Sequence, residues 1–207
     1  SFIEDVLVKK IKAKYCYVGD DFRFGKDRLG DCNMLQEHSI EHDFTVEIVD
    51  GVGIDNQRVS SSAIRKLLSS GDFQTAEKLL GRPFAISGRV AHGDKQGRTI
   101  GFPTANISIR RKLSPVLGVF SVLIRINNIT YKGVCNVGKR PTLGGLKVLL
   151  EVFIFDFNQE IYGSRVNVFF KQKCREEIKF NSLEELKNQI KEDVKDSKQY
   201  FKDARLD

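Results

Sequence analysis

The sequence predicts an α+β protein in two parts: an incomplete α/β segment over residues 1–80, then an antiparallel β barrel or sandwich with a C-terminal helix over residues 81–207. Three observations predict it. Helix-like and strand-like stretches alternate through the first 80 residues, the grammar of a parallel-sheet domain. From Pro83 onward, short stretches rich in β-branched and aromatic residues follow one another without a helical pattern between them. The chain then closes on NSLEELKNQIKEDVKDSKQYF, where Leu183, Leu186, Ile190 and Val194 recur at helical spacing.

Taken in order, EDVLVKKIKA reads as a helix and YCYVGDD as a short buried strand running into a turn. MLQEHSIEHDF puts His38 and His42 one turn apart; with no third ligand singled out, they read as a solvated helix face rather than a metal site. TVEIVDGV reads as a second strand. Ser60, Ser61 and Ser62 offer caps ahead of the apolar set Ile64, Leu67 and Leu68. Asp72 caps a further short helix that Gly81 stops, and a boundary falls near Gly81-Arg82-Pro83. Beyond it, FAISGRVAHG, VFSVLIRINN, ITYKGVCNVG, VLLEVFIFDF and YGSRVNVFF read as strands, punctuated by Gly, Asn-Asn and Asp-Phe-Asn turns. Ser182 and Glu185 form a capping box for the last helix, which should pack on the barrel.

Composition narrows the function classes. At 41% hydrophobic and 29% charged residues the chain reads as an ordinary soluble protein, and no apolar run approaches the roughly 20 residues of a membrane span. The N-terminus has neither a signal-peptide layout nor an initiator Met, and it reads as the start of a piece of a longer chain. Cys16, Cys32, Cys135 and Cys174 are scattered with no Cys-x-x-Cys pair, which argues for reduced thiols and a cytoplasmic location. Charge is unevenly spread: residues 1–80 are net −3, residues 151–207 net −1, and residues 81–150 carry 12 basic and one acidic residue, net +11. A field of that sign attracts phosphates, whether of a nucleotide or of nucleic acid.

The basic segment contains GDKQGRTIGFPTAN, Gly93 to Asn106. Gly93, Gly97 and Gly101 let the backbone approach a ligand closely, and successive amides in such a loop can form an anion nest. Lys95 and Arg98 add charge, while Thr104 and Asn106 offer a hydroxyl and an amide carbonyl in close register. Hard oxygen ligands of that kind suit Mg²⁺ carried on nucleotide phosphates. Glycines also serve ordinary hairpins, so the loop alone decides nothing. Glu151 adds weight as the one charged residue in the apolar run VLLEVFIF, on the strand face shared by Leu149, Phe153 and Phe155. A carboxylate there needs a partner or a purpose, and general-base work on a hydroxyl is one such purpose; a strand end meeting water is the other reading. The P-loop and protein-kinase signatures are absent, so phosphoryl transfer needs a different scaffold.

GRPFAISGRVAHGDKQGRTIGFPTANI, SPVLGVFSVLI, YKGVCNVGKRPT, LLEVFIFDFNQEIYG and CREEIKFNSLEELKNQIKED resemble, in this order, the riboflavin kinase module. Upstream, GDDFRFGKDRLG and VSSSAIRKLLSSGD resemble the end of the Rossmann-like nucleotidylyltransferase module fused to it in the bacterial bifunctional riboflavin kinase/FMN adenylyltransferase (FAD synthetase) family. The resemblance implies a six-stranded antiparallel barrel and a monomer. It implies transfer of the ATP γ-phosphate to riboflavin, giving FMN and ADP, with Mg²⁺ as cofactor and neither nucleic acid nor membrane as partner. On its terms Thr104 and Asn106 hold the Mg-nucleotide phosphates, Thr104 as metal ligand, and Gly93 to Gly101 cover them. Glu151 activates the riboflavin 5′-hydroxyl, and Arg175 belongs to a loop closing over the flavin. Ser60, Ser61, Ser62 and Arg65 match the second phosphate motif of the adenylyltransferase, whose H-x-G-H motif this sequence lacks, so FMN is expected as product and FAD is not. Phe120 stands where the family often has Tyr, and Phe153 where His is frequent; neither removes a group the chemistry needs. A non-catalytic barrel binding nucleotide, flavin or nucleic acid is the competing class.

Overall fold

A computed structural model describes residues 1–55, 57–93, 97, 100–109, 114–142 and 145–204, with the backbone alone for residues 57, 140–142 and 145–147. Contacts divide the chain into two compact units, Ser1–Val59 and Ser60–Asp207.

In the first unit a π-helical segment, Phe2–Ile11, starts on the Ser1 side chain and ends where Lys12 turns left-handed. Strand β1 (Tyr15–Gly19) pairs in parallel with β2 (Thr45–Val49), and helix α1 (Cys32–Glu41) crosses between them. Asp31 caps α1 by accepting from the Met34 amide. A short hairpin, β3 (Gly53–Ile54) with β4 (Gln57–Arg58), follows. This is the alternation the sequence predicts, around a small core of Ile3, Leu35 and Phe44. One expectation is corrected: β1 is not a buried strand. Its side chains alternate, and Tyr15 and Tyr17 stay in solvent while Cys16 and Val18 turn inward. The solvated-face reading of His38 and His42 holds in part: the two side chains keep 39% and 22% of their surface in solvent, while His38 Nδ1 and His42 Nε2 are buried.

The second unit opens with two short helices. Ser60 caps α2 (Ser61–Ser70), Asp72 caps α3 (Phe73–Leu80), and Gly81 ends α3 in a left-handed conformation. Both helices contribute to the barrel's core. Phe73 places its ring 5.8 Å from each of Phe120 and Phe170, and Leu68 and Ala76 are buried in the same cluster. That packing explains why the contact division, at Val59–Ser60, lies upstream of the Gly81 boundary read from the change of grammar.

Six strands then close a barrel: β5 (Ala85–Ala91), β6 (Thr104–Ser108), β7 (Gly118–Ile126), β8 (Ile129–Thr142), β9 (Gly145–Ile154) and β10 (Arg165–Arg175). Every neighbouring pair is antiparallel, and the ring order is β10-β5-β6-β9-β8-β7. Asn127 and Asn128, both at positive φ, make the tight turn between β7 and β8. Inward-facing Phe120, Val122, Ile124, Leu150, Val152 and Phe170 fill the interior.

Helix α4 (Leu183–Asp203) lies on the barrel's outer face. Ser182 caps it, while the Glu185 carboxylate reaches back to the amide of Asn181, one residue before the cap. The apolar stripe departs from expectation at its start. Leu183 is 69% exposed, and the packed face runs instead through Val194 and Phe201, with Ser197 donating to the Gly133 carbonyl at 3.4 Å. Leu186 and Ile190 face a cavity rather than a close contact with the strands.

Candidate active site

Strand alternation assigns each residue of β6–β9 to one side of the wall. Ala105, Ile107, Leu150, Val152, Cys135 and Val137 turn inward, so Asn106, Glu151 and Asn136 turn outward. The ladder registers put these three directly side by side: Asn106 pairs with Glu151, and Glu151 with Asn136. The same row continues through Val119 to Arg175. Side chains directly opposite across antiparallel strands stand about 4.5–5.5 Å apart at Cβ, so Glu151 has a carboxamide on either flank.

This outer face is roofed. Residues 176–180 and helix α4 cover it, leaving a cavity of about 280 Å³ whose apolar lining includes Phe102, Phe153, Ile178, Phe180, Leu186 and Ile190. Thr104, one outward position along β6 from Asn106, also lines it. Thr104 borders a second cavity, of about 430 Å³, formed with Val90, Pro103, Phe157 and Tyr162. There the Tyr162 ring stacks on His92 at 4.1 Å between centroids. Thr104 is therefore common to two cavities, with Asn106 and Glu151 beside it.

Two glycines bring backbone onto this junction. A Cβ on Gly93 would collide with the Asn106 carboxamide. A Cβ on Gly97 would collide with the Phe102 carbonyl and come within 3.3 Å of Thr104 Oγ1. The Phe102 amide, two residues ahead of Thr104, donates to the Gly97 carbonyl at 2.7 Å. Gly101 sits at φ +89°. Lys95 and Arg98 lie outside the described residues.

Arg175 is the last residue of β10, where the sequence placed it in a covering loop. Two ladder irregularities, between Phe170 and Gln172 and between Lys173 and Arg175, precede it. Its guanidinium grips the buried Asp193 of α4 in a fork, Nε to Oδ1 at 2.8 Å and Nη2 to Oδ2 at 2.7 Å. Nη1 donates to the Glu176 carbonyl at 2.9 Å, Gln189 donates to Asp193 at 3.0 Å, and the Phe180 ring lies 5.8 Å from the guanidinium carbon. The fork ties the strand end, the covering segment and the helix together at the cavity wall.

Of the residues singled out in sequence, Gly97, Thr104, Asn106, Glu151 and Arg175 line one cavity, and Gly93 adjoins it through Asn106. Ser60, Ser61, Ser62 and Arg65 do not line it; they form the start of α2, where the Ser60 hydroxyl accepts from the Ala63 amide. Sequence reading missed Asn136 and Asp193. Asp193 had a signal, because it falls on the same helix face as Ile190, Val194 and Ser197, as out of place there as Glu151 is in its strand. Asn136 is one polar residue in a short strand, and only the register reveals what it adjoins.

Comparison with known proteins agrees with the fold. The Flavokinase family, riboflavin kinase, matches residues 80–201, and the FAD synthetase family matches residues 1–63. The chain is 50% identical over 201 residues to a bifunctional riboflavin kinase/FMN adenylyltransferase of Haemophilus influenzae, covering 97% of this chain and 65% of that protein. It is 45% identical over 202 residues to the Escherichia coli (strain K12) protein of the same name, covering 97% and 64%. The chain thus spans about 65% of the length of the curated relatives it matches. A crystal structure described as a macrolide-efflux protein from Streptococcus pneumoniae superposes with a TM-score of 0.64 at 36% identity, over 92% of this chain and 62% of that one. With more than half of its residues matched, over the whole barrel and most of the closing helix, the chain belongs to the riboflavin kinase family.

Proposed function

We propose that the chain transfers the γ-phosphoryl group of ATP to the 5′-hydroxyl of riboflavin, giving FMN and ADP. The observation that carries this reading is the position of Glu151: it stands in a row with Asn106 and Asn136, next to the one threonine that borders both cavities. The apolar cavity under α4 suits the flat flavin ring, with Phe153 and Phe180 as aromatic walls. The cavity beyond Thr104, lined by Tyr162, whose ring stacks on His92, suits the nucleotide. The phosphates then meet the Gly93 and Gly97 backbone at the junction.

In this arrangement Glu151 takes the proton of the 5′-hydroxyl as its oxygen forms the new bond to phosphorus. The bond from phosphorus to the ADP oxygen breaks on the opposite side, and its electron pair leaves with ADP. Thr104 and Asn106 hold the transferring group in line, which is most of what such a step needs. The donor set at the junction fits Mg²⁺, because Thr104, Asn106 and Glu151 offer a hydroxyl, an amide carbonyl and a carboxylate, all hard oxygens. When bound, the ion supplies charge neutralisation on the phosphates. Arg175, held by Asp193, fixes the wall of the flavin cavity. Adenylyl transfer to FMN we assign to the full-length protein.

The test is to incubate the chain with riboflavin, ATP and Mg²⁺ and resolve FMN and FAD by chromatography. FMN formation that collapses in Glu151→Gln supports the reading. Riboflavin binding without FMN, unchanged by that substitution, marks a non-catalytic flavin-binding barrel instead.

A further inference from the structure

We propose that His38, Glu41 and His42 form a binding site for a borderline divalent transition metal ion, zinc above all, at the C-terminal end of α1. The site lies in the first unit and owes nothing to the kinase reading. His38 and His42 stand one turn apart, and the spacing puts both rings on one side of the helix end. The rings are stacked, 6.1 Å between centroids and 6° between planes. Glu41 reaches between them: its Oε2 lies 3.6 Å from His38 Nδ1 and 3.9 Å from His42 Nε2.

Those separations exceed hydrogen-bonding distance, and both nitrogens are buried without any hydrogen-bond partner. An imidazole nitrogen shut off from water in this way is destabilising until something satisfies its lone pair. One ligand atom from each of the three residues falls within 4.8 Å of the others. Zinc bonded to nitrogen at about 2.0–2.1 Å in a tetrahedral site sets its ligands about 3.3 Å apart. Side-chain rotations that close the widest separation by up to about 1.5 Å would let one ion satisfy both lone pairs and the carboxylate together. Two imidazoles and a carboxylate select Zn²⁺, Cu²⁺ or Ni²⁺ over Mg²⁺ or Ca²⁺, which need more oxygens. The Glu41 side chain is 71% exposed, which gives the ion a way in and leaves a fourth position to water.

The experiment titrates the full chain with Zn²⁺ by calorimetry in excess Mg²⁺, alongside His38→Ala, His42→Ala and the double variant, each checked for folding by circular dichroism. The expected result is one equivalent of Zn²⁺, weakened about tenfold or more by either single substitution and abolished in the double variant. Proton NMR of the unmutated chain gives an independent readout: Zn²⁺ should move the ring signals of His38 and His42 and leave those of His92, the remaining histidine, in place. The proposal is overturned if no Zn²⁺ binds, if binding survives in the double variant, or if only His92 responds.

Discussion

The two units solve the same problem by opposite means. In Ser1–Val59 a single parallel pair, β1 with β2, leans on α1 and the π-helical segment, and its core among the described residues rests on Ile3, Leu35 and Phe44. Alternate side chains of both strands remain in water. In the barrel every strand has a hydrogen-bonded neighbour on each side, and its interior is filled at almost no exposure. A wall that needs no help from its outer face can devote that face to chemistry. The row Asn106–Glu151–Asn136 is carried on such a wall, with α4 and residues 176–180 as a separate roof. A two-stranded sheet has no comparable face to spare.

Four experiments break or sharpen this comparison. The largest effect belongs to Glu151→Gln, which should lower the rate of FMN formation about 10²–10⁴-fold, the usual worth of a general base, while the urea midpoint stays where it was. If activity and stability fall together, the wall and its outer face are not independent. Next, Phe73→Ala should cost the barrel unit about 3–5 kcal/mol, because it empties the contact with Phe120 and Phe170, and Leu35→Ala should cost the first unit about 2–5 kcal/mol. Hydrogen exchange resolved by segment should show each substitution loosening its own unit, with FMN formation intact in Leu35→Ala. Smaller, Asp193→Asn should destabilise the barrel unit by about 2–3 kcal/mol in urea unfolding and raise KM for riboflavin. The figure sits below that for a fully buried pair because Arg175 keeps 20% of its side chain in solvent.

The smallest effect concerns pH. Burial holds the Cys135 thiol well above its ordinary value of 9.0, and Cys174 is raised by the same cause. Above about pH 9 the unfolded chain releases these protons while the folded chain keeps them. The unfolded state then binds fewer protons, so stability falls as pH rises, by up to about 1.4 kcal/mol per pH unit for each thiol. Urea midpoints measured between pH 8 and 10 should show the slope, and Cys135→Ala should flatten it.

Most of the barrel was legible because period-two patterning and turn residues are local signals. Asn127-Asn128 declares its turn, and Ser182 with Glu185 declares the start of α4. Glu151 stood out because it is chemically out of place in its strand, and Thr104 and Asn106 because they close a glycine-rich, basic stretch. What stayed hidden depends on pairing between distant segments. Nothing local says that Asn136 will lie opposite Glu151, or that a fork from Arg175 will need Asp193. The half-exposure of β1 was illegible for a related reason, since YCYVG looks apolar throughout although its tyrosines carry polar tips that tolerate water. Leu183 misled for a third reason: helical spacing marks a face, but not how far along the helix the barrel extends.

The closed ring also bears on how the chain is made. Its first strand, β5, is hydrogen-bonded to its last, β10, with Ile86 opposite Val168. On a ribosome adding about 5–20 residues per second, β5 must therefore wait several seconds or more for the partner that completes it. Through that interval one of its edges is an open template for other nascent chains. Closure is a late and long-range event, so the barrel's yield during synthesis should depend on how well its edges are shielded while they wait.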